Sequence, residues 1–97
     1  MSKNGGGQKR IENLRRRIDG VDDELLRLLY SRAGLAIEIG HLKRKKGIAA
    51  YSPGRERAIL ARVTKMNDGP LQQTAVKRIF REIVRESRRA AIREVLK

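Results

Sequence analysis

From Ile11 onward the apolar positions recur at alternating intervals of three and four: Leu14, Ile18, Val21, Leu25, Leu28, then Leu35, Ile39 and Leu42. That spacing marks one face of a long helix packed against other helices. Where the seam should carry another aliphatic side chain it carries Arg32. A neighbouring stripe, Leu26, Leu29, Ala33, Ala36 and Gly40, arrives in the same way at Lys43. A cation on a buried stripe is costly without a partner, so something anionic should meet these two residues. If no protein carboxylate does, a small anionic ligand is the sharper expectation.

The pattern predicts a first helix from about Lys9 to Lys46, about 55 Å long at 1.5 Å per residue. A domain of this size has a diameter of about 30 Å, so the helix is too long for its own chain to cover and a partner chain is expected. Gly20, Gly34 and Gly40 lie inside it, each costing roughly 1 kcal/mol relative to Ala. Such glycines are either tolerated or admit close approach of another backbone or a ligand. Lys43, Arg44, Lys45 and Lys46 suit the negative end of the helix dipole, and Gly47 stops the helix. Ser52-Pro53 reads as an N-cap followed by proline at the first helical position. A short second helix should run to about Met66, burying Ile59, Leu60, Val63 and Met66. Asn67-Asp68-Gly69-Pro70 is a turn. A third helix, roughly Leu71 to Val95, carries Val76, Ile79, Phe80, Ile83, Val84, Ser87 and Ala91 at helical spacing. The expected fold is all-α, with three helices per chain in the order long, short, long. Residues 1–8 read as a flexible tail and 9–97 as one helical domain.

The charge changes this picture most: 24 Lys and Arg stand against 11 Asp and Glu, for a net charge of +13. Nucleic acid, anionic membrane and small polyanions all become partner classes. The cations are spread along the whole chain, however. Only Tyr30, Tyr51 and Phe80 are aromatic, so no stacking platform for bases exists and a nucleic-acid partner is disfavoured. With no Cys there is no disulfide and no thiolate metal site, and the lone His41 builds no histidine-rich one. His41 itself reads as a surface or interface residue. No apolar run approaches the roughly 20 residues of a membrane span. Met1–Arg10 lacks the apolar core of a signal peptide, so a soluble, cytoplasmic protein is expected.

No phosphate loop, nucleophile elbow or Ser-His-acid triad is evident. What remains is a set of polar residues near apolar stripes: Arg15, Arg32, Lys43, Ser52, Arg55, Glu56 and Ser87. Taken singly, most have a structural explanation. Arg15 can snorkel beside Arg16 and Arg17, Arg55 and Glu56 can form an exposed pair, and Ser87 can bond back to its own helix. Arg32 and Lys43 are the exceptions because of their places on the seams.

In this order and spacing the chain resembles the all-helical class of chorismate mutases, notably the mutase domain of bifunctional mutase–prephenate dehydratase proteins. The matching segments are Leu14-Arg15 through Ile18-Asp19, Val21-Asp22, Leu25-Leu26 to Leu29, Ser31-Arg32, Ala36, Ile39-Gly40, Leu42-Lys43, Pro53-Gly54-Arg55-Glu56 and Ile79-Phe80-Arg81-Glu82-Ile83. The resemblance implies an intertwined, domain-swapped helical homodimer with two shared sites. It implies that Arg15 reaches into the partner's site and, with Arg32, binds the carboxylates of chorismate. Lys43 would donate to the ether oxygen of the breaking bond, Arg55 would be a further cation, and Glu56 would accept from the ring hydroxyl. Ser87 would contact a carboxylate. Ser52 stands where some members have Asp. No metal or cofactor is implied, since the rearrangement to prephenate is intramolecular. The same resemblance allows a fused prephenate dehydratase domain in the parent protein.

One position departs from the family pattern. Four residues after the serine the family has Gln or Glu, a second donor to the ether oxygen, and this chain has Ala91. Losing one such donor typically costs about 3–4 kcal/mol, on the order of 100- to 1,000-fold in rate. Three readings follow. The first is chorismate mutase in aromatic amino-acid biosynthesis, its rate reduced by Ala91. The second is a weak or inactive mutase-like dimer that binds chorismate or a related dianion, or acts on isochorismate or an amino analogue. The third is a basic helical dimer that binds nucleic acid, which +13 alone motivates.

Overall fold

A computed structural model describes residues Lys3–Lys97. Three helices account for most of them: α1 (Lys3–Lys46), α2 (Pro53–Met66) and α3 (Gln73–Val95). No strand occurs among the described residues. The order long, short, long is the one the hydrophobic pattern predicts.

The ends of the helices have identifiable causes. Gly47 closes α1 with φ +69°, the left-handed conformation that glycine adopts without a Cβ penalty. The Gly47 amide donates to the Arg44 carbonyl at 3.2 Å and the Ile48 amide to the Lys43 carbonyl at 2.9 Å. This paired 5→2 and 6→1 bonding is a Schellman motif, and it satisfies two carbonyls left over at the helix end. At the start of α2 the Ser52 hydroxyl accepts from the Arg55 amide, with Pro53 next in line, as the N-cap reading expects. Between α2 and α3 the Asn67 side-chain amide donates to the Leu71 carbonyl and to Gln73 Oε1, each at 3.0 Å. The Gln73 amide in turn donates to the Thr64 carbonyl. These bonds hold Leu71 in the turn, and α3 therefore starts at Gln73 rather than at Leu71.

α1 starts earlier than its periodicity predicts and takes in Gly5, Gly6, Gly7 and Gln8 of the expected tail. Met1 and Ser2 of that tail lie outside the described residues.

The chain divides into two units between Tyr30 and Ser31. In the first, Ile18, Val21, Leu25 and Leu28 on the apolar face of α1 are all exposed. The second holds the remainder of α1 with α2 and α3. Its buried apolar residues are Ile59 and Val63 of α2 and Val76, Val84 and Ala91 of α3. Leu60 is only half-buried and Met66, the last residue of α2, is exposed, because the helix ends before anything covers it. Ile79 of α3 is exposed, and Phe80 and Ile83 are half-buried. On α1 the covered stripe of this unit is Arg32, Ala33, Ala36, Ile37, Gly40 and Lys43, whereas Leu35, Ile39 and Leu42 of the predicted seam are exposed. No described helix is long and apolar enough to cross a membrane.

Candidate active site

Within the second unit three helical faces converge on one cavity of about 340 Å³. α1 contributes Arg32, Leu35, Ala36, Ile39, Gly40 and Lys43. α2 and its cap contribute Ser52, Arg55, Glu56, Ile59 and Arg62. α3 contributes Val84, Ser87, Arg88 and Ala91. Each set recurs every three or four residues, so each is one stripe of its helix. The walls are aliphatic, and five of the eight polar side chains are cationic, the others being Ser52, Glu56 and Ser87.

Of the residues singled out in the sequence, Arg32, Lys43, Ser52, Arg55, Glu56, Ser87 and Ala91 all line this cavity. Arg15 belongs to the other unit and is not among the lining residues. Burial, and repulsion from Arg55 and Arg62, hold the Arg32 guanidinium below its usual pKa. A depressed pKa on a base means that its charged form is disfavoured in the ligand-free fold, so an anion placed here is attracted. Lys43 Nζ donates to the Ala50 carbonyl at 3.3 Å, which tethers the ammonium on the cavity wall without neutralising it. Ser87 is buried, and its hydroxyl has no hydrogen-bond partner among the described residues. The back-bond to its own helix, the structural alternative for Ser87, is not made there, and Ser87 lines the cavity. The Ser52 hydroxyl accepts from the Arg55 amide in capping α2 and keeps its own hydrogen to donate. Among the described residues no group of acidic, histidine and cysteine side chains could hold a metal ion.

Two lining residues were not anticipated: Arg62 and Arg88. Arg62 could have been found from spacing, because Arg55, Ile59 and Arg62 form a single helical stripe with Glu56 beside it. Arg88 could not, because its role depends on α2: its guanidinium pairs with Glu56, 32 residues away in sequence. It also stacks over Tyr51, with Cζ 4.5 Å from the ring centroid.

Ala91 is buried on the cavity wall and offers no donor. Gly40 opposite it lets α1 approach α3 closely, since a Cβ there would sit 3.0 Å from Val95 Cγ2 and 3.4 Å from Ala91 Cβ. Of the two expectations for the glycines inside α1, close approach holds at Gly40.

Such a cavity, small and apolar with several cations, one carboxylate and one free hydroxyl, suits a small dianion bearing a hydroxyl. Comparison with known proteins points the same way. The family model for chorismate mutase type II matches residues 14–91. The bifunctional chorismate mutase/prephenate dehydratase of Aquifex aeolicus is 40% identical over 78 residues, 76% of this chain and 22% of that protein. The enzyme of the same name from Neisseria gonorrhoeae is 47% identical over 72 residues, 74% of this chain and 19% of that protein. The chain thus spans about a fifth of the length of these relatives. A solved structure of chorismate mutase from Thermus thermophilus superposes with a TM-score of 0.79 at 41% identity, covering 80% of this chain and 89% of that one. The matched stretch contains every candidate residue from Arg15 to Ala91, and the chain belongs to the chorismate mutase type II family.

Proposed function

We propose that the chain is a chorismate mutase, a cytoplasmic homodimer of the helical domain 9–97 that converts chorismate to prephenate. The observation that carries this reading is the single cavity in which Arg32, Lys43, Arg55 and Ser87 meet Glu56 between apolar walls. In this reading Arg32 and Arg55, with Arg15 of a second copy, clamp the two carboxylates, and Glu56 accepts from the ring hydroxyl. Together they hold the folded conformer in which the bond-forming carbons are adjacent. Lys43 Nζ donates to the ether oxygen as charge develops on it, in a site where apolar side chains exclude water. No proton is transferred and no covalent intermediate forms, so binding, conformational restriction and one fixed charge account for the whole acceleration.

A second copy supplies Arg15 and covers the exposed face of α1. Support for this comes from Ile18, Val21, Leu25 and Leu28, which leave a continuous apolar stripe without cover in one chain. A fused prephenate dehydratase, named in the relatives, belongs to the same reading of the parent protein.

The test is the loss of chorismate absorbance with purified protein, with prephenate identified as product and mass measured by sedimentation. Prephenate formation by a dimer supports the reading. Unchanged chorismate overturns the activity, and a monomer overturns the shared site. Ala91 favours one alternative, a domain that binds chorismate or a related dianion without converting it. Calorimetric binding without turnover would establish that alternative.

A further inference from the structure

Five ion pairs occur among the described residues, and four of them join exposed side chains three residues apart in sequence. Arg88–Glu56 is different. It joins α3 to α2 on the wall of the cavity, and each side chain keeps only 27% of its surface exposed. A charge-assisted hydrogen bond in such a place is stronger than one at the surface, because less water competes for either partner. The guanidinium is also flanked: its Cζ lies over the Tyr51 ring, 4.5 Å from the centroid, within cation–π range.

This arrangement has a consequence for Glu56. Arg88 Nη1 donates to Oε2 of the carboxylate. No hydrogen bond reaches Oε1 among the described residues. A carboxylate has room for about four donors. Arg88 therefore takes one oxygen of a carboxylate that lines the cavity and leaves Oε1 without a protein donor.

We infer that Arg88, clamped by Tyr51, is a positioning residue: it holds the Glu56 carboxylate so that Oε1 is presented to the ring hydroxyl of the bound dianion. This rests on the reading of the cavity as a chorismate site. Arg88 acts through Glu56 and so governs recognition of the hydroxyl, while the carboxylate clamps Arg32 and Arg55 are independent of it. Tyr51 acts one step further back, by restricting the guanidinium.

The experiment compares chorismate with its analogue lacking the ring hydroxyl, in the wild type, Arg88→Met, Arg88→Lys, Glu56→Gln and the Arg88→Met/Glu56→Gln double variant. Both kcat/KM and calorimetric Kd are read. Arg88→Met should weaken the site for chorismate about tenfold and leave the analogue within about twofold, because only the hydroxyl contact is lost. Arg88→Lys should recover part of the loss. In the Glu56→Gln background the Arg88→Met change should add nothing, since the two residues act as a unit. Equal loss on both ligands, or additive losses in the double variant, overturns the inference. A wild type that binds chorismate without turning it over overturns the mutase reading alone, and the Kd comparison still decides the role of Arg88. A wild type that binds neither ligand overturns both.

Discussion

Gly40 of α1 lies directly against Ala91 of α3: a methyl group added to Gly40 would sit 3.4 Å from Ala91 Cβ and 3.0 Å from Val95 Cγ2. Two small residues of the cavity wall thus face each other, and the helices close the gap between them. Position 91 is where the family pattern carries an amide or carboxyl donor.

Ala91→Gln should therefore restore a second donor to the ether oxygen. The Cβ position is unchanged, and the added atoms extend from a residue that already lines the cavity. The expected gain in kcat is on the order of 100-fold. Steady-state assay of both proteins on chorismate checks it. An unchanged kcat would show that no donor was missing.

Lys43→Ala should remove the principal charge at the reacting oxygen. The expected loss in kcat is on the order of 100- to 1,000-fold. Stability should change by less than about 1 kcal/mol, since the only hydrogen bond of the ammonium among the described residues is exposed and runs to the Ala50 carbonyl. Activity and urea unfolding measured on one preparation separate the two effects. A variant that keeps its kcat would take Lys43 out of the chemistry.

Arg32 sets function against stability. Its pKa is lowered by burial and by Arg55 and Arg62, so the charged form opposes folding. The sign for a base is that the penalty is present at every pH below the folded-state pKa. It is therefore constant over ordinary pH; salt screens only the repulsion from Arg55 and Arg62, and a bound anion offsets the whole penalty. Arg32→Met should stabilise the ligand-free protein by about 1 kcal/mol, the low end for a replaced charge because the group is partly exposed. The same change should abolish chorismate binding. Thermal unfolding across a salt series checks the first part: the wild type should gain stability with salt and the variant should gain less.

Gly47→Ala places a Cβ at φ +69°. The expected destabilisation is about 1–2 kcal/mol, the left-handed penalty of an L-residue. The hydrogen bonds of Gly47 and Ile48 that close α1 would be strained with it. Chemical denaturation measures the difference, and an unaffected midpoint would show that the C-terminal closure contributes little.

Leu25→Lys tests the dimer of the proposed function. The residue is 52% exposed in one chain, so the substitution hardly alters an isolated protomer. Against a second copy it would bury a charge. Sedimentation should show dissociation, with catalysis lost as Arg15 of the second copy is withdrawn. A dimer that persists would place the contact elsewhere.

Much of the fold was legible because helices announce themselves locally. Ser52-Pro53 marks a start, Gly47 marks a stop, and apolar residues three and four apart mark a face. Each signal depends on neighbours within one or two turns. The candidate site was legible for a related reason: a cation on an apolar stripe contradicts the stripe, as Arg32 and Lys43 do. Burial was less legible. Met66 and Ile79 fit the spacing of their helices yet are exposed, because coverage depends on what lies opposite.

The order of three helices, their main start and stop signals and the residue types on each stripe thus follow from local signals in the chain. The tertiary structure decided which stripes meet. It placed Arg62 beside Arg32, put Arg88 on Glu56 and over the Tyr51 ring, and set Gly40 against Ala91. Residues 32 positions apart carry no mutual signal in a single chain. Their pairing arises only when helix packing brings distant surfaces within hydrogen-bond reach, and electrostatic and van der Waals energies fall off over a few ångströms.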